Sequence, residues 1–165
     1  MGMEQRYFTE GWPFPPAPRG ASISSAERSR RHEALSKTPL FAGLSKRQLR
    51  ALAKVTAVSP YGEGAEVVEQ GSMGSAFFVI LDGRAKVVRS ARTLARLSAG
   101  DFFGDISVLD GGPRTASVVA ETPLRCLTLD RKDFMRLLKG EPQLAIQLLW
   151  ELAGRLRRSE RSLVG

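Results

Sequence analysis

The sequence has little of the chemistry that metal sites and disulfide scaffolds need: one cysteine and one histidine in 165 residues. A lone thiol, Cys126, excludes an internal disulfide framework and a cysteine-built zinc site, and a lone imidazole, His32, excludes a histidine-rich metal site. Long apolar runs are missing too. The longest, Ala-Phe-Phe-Val-Ile-Leu at 76–81, is far short of the ~18 residues that span a bilayer. The N-terminus lacks a basic-then-apolar leader, and Arg6 stands where a myristoylation signal wants Ser or Thr. These absences argue for a cytoplasmic protein without membrane insertion. Enzyme signatures are also absent. No Ser-His-Asp set can form beyond His32, Gly62-Glu63-Gly64 does not continue into a dinucleotide fingerprint, and no glycine loop ends in Gly-Lys-Ser/Thr. We therefore expect no catalytic residues, no metal and no cofactor.

What is present describes one ordinary domain: 42% hydrophobic, 25% charged and 7% aromatic residues. Lys plus Arg number 25 against 17 Asp plus Glu, a formal charge of +8, which attracts phosphates, nucleic acid or an acidic partner.

Four segments follow one another. Residues 1–22 are proline-rich, with Pro13, Pro15, Pro16 and Pro18 forbidding helix and central strand alike, and read as an unstructured tail. Residues 23–54 form an N-terminal helical segment. One helix runs from about Ser24 to Leu35, with Arg28, Arg30 and Arg31 read as a solvated face, and a second is capped by Ser45. From 55 to 129, short Val, Ile, Leu and Phe runs alternate with turn signals about every ten residues. They predict strands near 55–59, 65–69, 76–81, 84–89, 93–97, 115–120 and 124–129. Such spacing describes an antiparallel β jelly-roll sandwich. Residues 130–165 return to helix: one begins at Asp130 and ends at Gly140, and another runs from 142 to about 158 with Leu144, Leu148, Leu152 and Leu156 as an apolar stripe. The fold class is thus mainly β with flanking helices.

The stretch 100–118 carries the chemistry. Its glycine, acid, short apolar helical turn, tight turn and arginine suit an anion. Backbone N–H groups at the start of a short helix carry partial positive charge, and Arg114 adds a full one. Asp105 is only an acceptor and must face hydroxyl donors, such as those of a ribose. Acid for sugar and base for phosphate imply a nucleotide.

The chain resembles the cyclic nucleotide-binding domain family. Phe103-Gly104-Asp105-Ile106-Ser107-Val108 and Arg114-Thr115-Ala116-Ser117-Val118 follow the family's phosphate-binding cassette in register. The upstream run from Val67 through Gly71 and Gly74 to Gly83 follows its second motif. The resemblance spans about 36–160. It implies that Gly104, Ile106, Ser107, Arg114, Thr115 and Ala116 hold the phosphate and that Asp105 takes the ribose 2′-OH. Gly71, Val88 and Val118 would border the base and sugar. One departure is Asp105 itself, where the family has Glu. Its side chain is roughly 1.5 Å shorter, so either the cassette moves inward or a water bridges the gap. The expected ligand is cyclic AMP, with cyclic GMP as the rival because Thr115 offers a hydroxyl to a guanine 2-amino group. The alternative is a degenerate fold acting as a protein-interaction scaffold.

The resemblance further implies a sensor that moves its C-terminal helices against an unidentified effector, with a homodimer through the last helix left open. Because the sequence ends at Gly165 without a following recognition helix, the expectation is against DNA binding.

Overall fold

The computed structural model describes residues 24–164, with side chains described to 159. The proline-rich segment 1–22 lies outside the described residues. Helix α1 (Ser25–Lys37) is capped by the Ser24 hydroxyl, and α2 (Lys46–Val55) by a capping box between Ser45 and Gln48, with a 3₁₀ turn over Pro39–Phe41 between them. Eight strands follow: β1 (Ala57–Tyr61), β2 (Glu66–Val68), β3 (Ala76–Asp82), β4 (Ala85–Arg89), β5 (Arg92–Leu97), β6 (Phe102–Phe103), β7 (Ser117–Ala120) and β8 (Leu124–Asp130). A short helix α3 (Asp105–Asp110) interrupts them after β6, and α4 (Arg131–Gly140) and α5 (Pro142–Val164) close the chain.

The strands form two antiparallel four-stranded sheets, ordered β1-β8-β3-β6 and β2-β7-β4-β5. This is the jelly-roll sandwich the turn spacing predicts. The central strand β3 explains why the longest apolar run sits where it does. Successive side chains alternate faces, so Phe77 and Val79 enter a cluster with Leu35, Phe41, Leu52, Phe134 and Leu144 of the helices. Phe78 and Ile80 enter a second cluster between the sheets, with Val67, Val118, Leu124 and Cys126. A strand covered on both faces needs an unbroken apolar sequence. Each buried Phe or Leu contributes about 1.5–3 kcal/mol, and ring stacking adds to it, with Phe77 on Phe134 at 4.5 Å and Phe78 on Phe103 at 4.7 Å.

Three expectations are corrected. β6 is not among the expected strands, because two residues carry no period. Arg31 is not on a solvated face: it is buried, ion-paired with Glu27, and donates Nη1–H to the Thr56 carbonyl at 3.3 Å, fastening α1 to the end of α2. The leucine stripe of α5 divides as well. Leu144 and Leu148 are buried and Leu152 half-buried, but Leu156 is exposed beside Leu149 and Trp150.

Candidate functional site

The site forms where β6 turns into α3, next to the segment that carries Arg114 into β7. Gly104 makes the turn in the left-handed region at φ 81°, and Gly111, at φ 73°, ends the helix by donating to the Ser107 carbonyl. No side chain caps the start of α3. By helix geometry the N–H groups of Asp105, Ile106 and Ser107 have no acceptor within it. Ser107 is buried, while Ile106 is exposed.

Arg114 is buried, with 6% of its surface exposed, and its guanidinium is held in place. Nη1 donates to the Gly104 carbonyl at 3.0 Å and Nη2 to the Ala76 carbonyl at 2.9 Å, above the Phe78 ring. These bonds orient the cation against the turn that starts α3. Two glycines make room for it. A Cβ on Gly74 would overlap the guanidinium, and one on Gly104 would stand 2.7 Å from the Ala76 oxygen and 2.8 Å from Nη1 of Arg114. The backbone of Arg114 is fixed too. Its N–H donates to Ser72 and its carbonyl accepts from Gly71, both at 2.8 Å.

Asp105 is 3% exposed and lies at the first position of α3. Its Oδ1 accepts from Nη1 of Arg155 on α5 at 3.2 Å. Arg155 also donates Nη2–H to the Phe102 carbonyl at 2.8 Å and lies 4.1 Å from the Phe102 ring centroid. Oδ2 of Asp105 is buried with no hydrogen-bond partner. An unsatisfied buried acceptor costs about 1–3 kcal/mol, and such an atom in a native fold calls for a reason. A hydroxyl donor arriving at Oδ2 supplies one.

The structure therefore brings Gly104, Asp105, Ile106, Ser107 and Arg114 together around one turn. It places Ala116 buried and Thr115 exposed in the segment that leads from Arg114 into β7. Gly71 supports Arg114 through the backbone, its N–H donating to the Arg114 carbonyl. Val88 is corrected: on the β4–β7 ladder Val87 pairs with Val118 and Val88 with Ser117. Paired residues share a face, so Val87 joins Val118 on the buried side and Val88 lies on the other. A second link leads to the helices, for Nε of Arg131 on α4 donates to the Val108 carbonyl near the end of α3 at 2.8 Å. Arg155 and Val87 lie outside the residues the sequence assigns to the site, and Gly74, part of the second motif, gains a role as the space for the guanidinium. Val87 has a signal in the alternation that starts at Ala85.

Comparison with known proteins shows the family. The profile of the cyclic nucleotide-binding domain matches residues 58–141. A cyclic AMP receptor protein of Thermus thermophilus is 34% identical over 131 residues, covering 76% of this chain and 61% of the relative. A cGMP-dependent protein kinase of Caenorhabditis briggsae is 38% identical over 111 residues, covering 63% of this chain and 15% of the kinase. The solved cyclic nucleotide-binding domain from Methylobacillus flagellatus superposes with a TM-score of 0.72 at 28% identity, covering 84% of this chain and 83% of that one. The chain spans about three fifths of the length of the receptor protein it matches. Another relative, 31% identical, is a transcriptional regulator of Mycobacterium tuberculosis, so the expectation against DNA binding finds no support. Among the described residues no helix is long and apolar enough to cross a membrane. With two sheets in jelly-roll order and the cassette assembled around Arg114, the chain belongs to the cyclic nucleotide-binding domain family.

Proposed function

We propose that the chain is a regulatory sensor for a cyclic purine nucleotide, with cyclic AMP the favoured ligand, acting in the cytoplasm by binding rather than catalysis. The observation that carries the reading is the pairing of a buried, oriented Arg114 with a buried Asp105 oxygen that has no partner. The cyclic phosphate would rest against Arg114, Gly104 and the N–H groups of Ile106 and Ser107, with Thr115 and Ala116 beside it. The ribose 2′-OH would donate to Oδ2 of Asp105. The relatives named for cyclic AMP support the choice of base, and the cGMP-dependent kinase keeps cyclic GMP as the rival.

Output runs through Asp105. One carboxylate serves the ribose through Oδ2 and α5 through Oδ1, so a ligand that shifts the carboxylate also shifts the hold on Arg155. Arg131 ties the other end of α3 to α4. Ligand moves this equilibrium only by its different affinity for the two arrangements. The exposed Ile146, Leu149, Trp150 and Leu156 of α5 give the helix an apolar surface for an effector or a second copy of the chain.

Calorimetric titration with cyclic AMP, cyclic GMP and 5′-AMP tests the reading. Micromolar binding of a cyclic nucleotide, about −8 kcal/mol, without binding of 5′-AMP is the expected result. Absence of binding to a folded, ligand-free sample would leave the scaffold alternative in its place.

A further inference from the structure

We propose that Arg89 reads the base of the bound nucleotide and gives the rival ligand, cyclic GMP, a hold on guanine that adenine does not receive, narrowing the preference for cyclic AMP, an inference that rests on the cyclic nucleotide reading above. The position follows from register. Along β4, Ala85 and Val87 pair with Ala120 and Val118, and these four belong to or pack against the cluster between the sheets. Lys86 and Val88, opposite Val119 and Ser117, take the other face. Alternation returns Arg89 to the inner face, level with Ala116, where the wall opens to solvent. It is thus an exposed cation at the end of β4, beside the residues that lead from Arg114 into β7.

The side chain and its support are held in place. Nε of Arg89 donates to the Thr115 carbonyl at 2.9 Å, which leaves the four N–H donors of the terminal nitrogens for other partners. The adjoining turn is strained, with Ser90 at φ 50° and Ala91 at φ 66°, neither of them glycine. Such a turn persists only where its surroundings over-determine it. Here Gln70 supplies the constraint. Its Oε1 accepts from the Ser90 N–H, and its own N–H donates to the Ser117 hydroxyl, both at 2.9 Å. The β4–β5 tip is thereby clamped to the strand that follows Arg114.

The chemistry then separates the purines. Guanine presents O6 and N7, two adjacent acceptors that a guanidinium engages with paired donors, whereas adenine presents N7 beside an N6 amino donor. Arg89 meets complementary groups on the first and one opposing donor on the second.

The test is calorimetry of the full chain, as wild type, Arg89→Ala and Arg89→Lys, with cyclic AMP, cyclic GMP and cyclic IMP, which keeps O6 and N7 but lacks the 2-amino group. Expected is that Arg89→Ala lowers the cyclic GMP to cyclic AMP affinity ratio roughly tenfold, in line with one bidentate base contact. Cyclic IMP should follow cyclic GMP. Arg89→Lys should recover little of the ratio, since it keeps the charge and loses the fork. A parallel fall for all three nucleotides, or no change, overturns the role of Arg89 while leaving the sensor intact. A loss for cyclic GMP but not cyclic IMP overturns it as well, by moving the contact to the 2-amino group. Wild-type protein that binds no cyclic nucleotide overturns the sensor reading and this inference together.

Discussion

Arg114 and Asp105 occupy the two poles of one site, and they are held by different parts of the molecule. Both terminal nitrogens of Arg114 are bonded to carbonyls of the β-roll and its cassette, Ala76 and Gly104, so the cationic pole is positioned by the fold itself. Asp105 is bonded to Arg155, which arrives from a helix fifty residues away in sequence, and its second oxygen has no partner. The cationic pole is set for capture. On the proposed reading the acidic pole is shared between the ligand and α5. A site meant only for tight binding gains from rigidity at both poles, whereas a sensor needs one group that belongs to both the ligand and the output.

The sharpest way to break this contrast is at the fixed pole. Arg114→Ala should weaken cyclic nucleotide binding by about 100-fold or more, as expected from losing charge-assisted bonds of about 1.5–3 kcal/mol each. Arg114→Lys should recover little, because an ammonium cannot hold the fork geometry. Calorimetry at matched protein stability decides this, and a Lys variant with native affinity would reassign the phosphate. Next comes the turn. Gly104→Ala places a Cβ against the Ala76 oxygen and Arg114 at φ 81°, so it should cost about 2 kcal/mol of stability, read as a lowered urea midpoint. An unchanged midpoint would show that β6 and α3 can re-route around the methyl group.

The shared pole should respond more mildly. Asp105→Ala should weaken cyclic AMP about tenfold, the worth of one charge-assisted hydrogen bond, and 2′-deoxy cyclic AMP should show the same loss on the wild type with no further loss on the variant. Additive losses would place the 2′-OH elsewhere. The smallest effect on affinity is expected from Arg155→Ala, within about threefold, because Arg155 holds Oδ1 of Asp105 while the ligand meets Oδ2, although leaving the buried carboxylate unpaired should lower stability. Its signature is dynamic. Hydrogen exchange along α5 should become nearly independent of ligand in this variant, while the wild type retains a ligand-dependent difference. A persisting difference would route the signal through Arg131 instead.

How much of this is legible in the sequence depends on distance along the chain. The cassette is contiguous, so glycine, acid and arginine are visible together, and the roll is announced by turn residues such as those at 82–83 and 110–113. Arg155 is invisible as a site residue because nothing local marks its reach to Asp105. It reads only as a cation on the last helix. Val88 was misplaced for a different reason. A period of two makes a shift of one residue exchange the faces of a strand, and near the register irregularity between Val87 and Val88 on the β5 side parity is hard to count. The exposed leucines of α5 obey the same helical spacing as the buried ones, so the pattern alone cannot say which of them the roll covers.

Cys126, finally, lies on β8 between Ser59 of β1 and Ile80 of β3, with no exposed surface, and burial pushes its thiol well above the ordinary cysteine range. The molecule therefore offers no reactive thiol to solvent. A cysteine placed at an exposed α5 position, such as Arg157, would be the sole site for a fluorescent label, and the wild-type core would serve as its own unlabelled background.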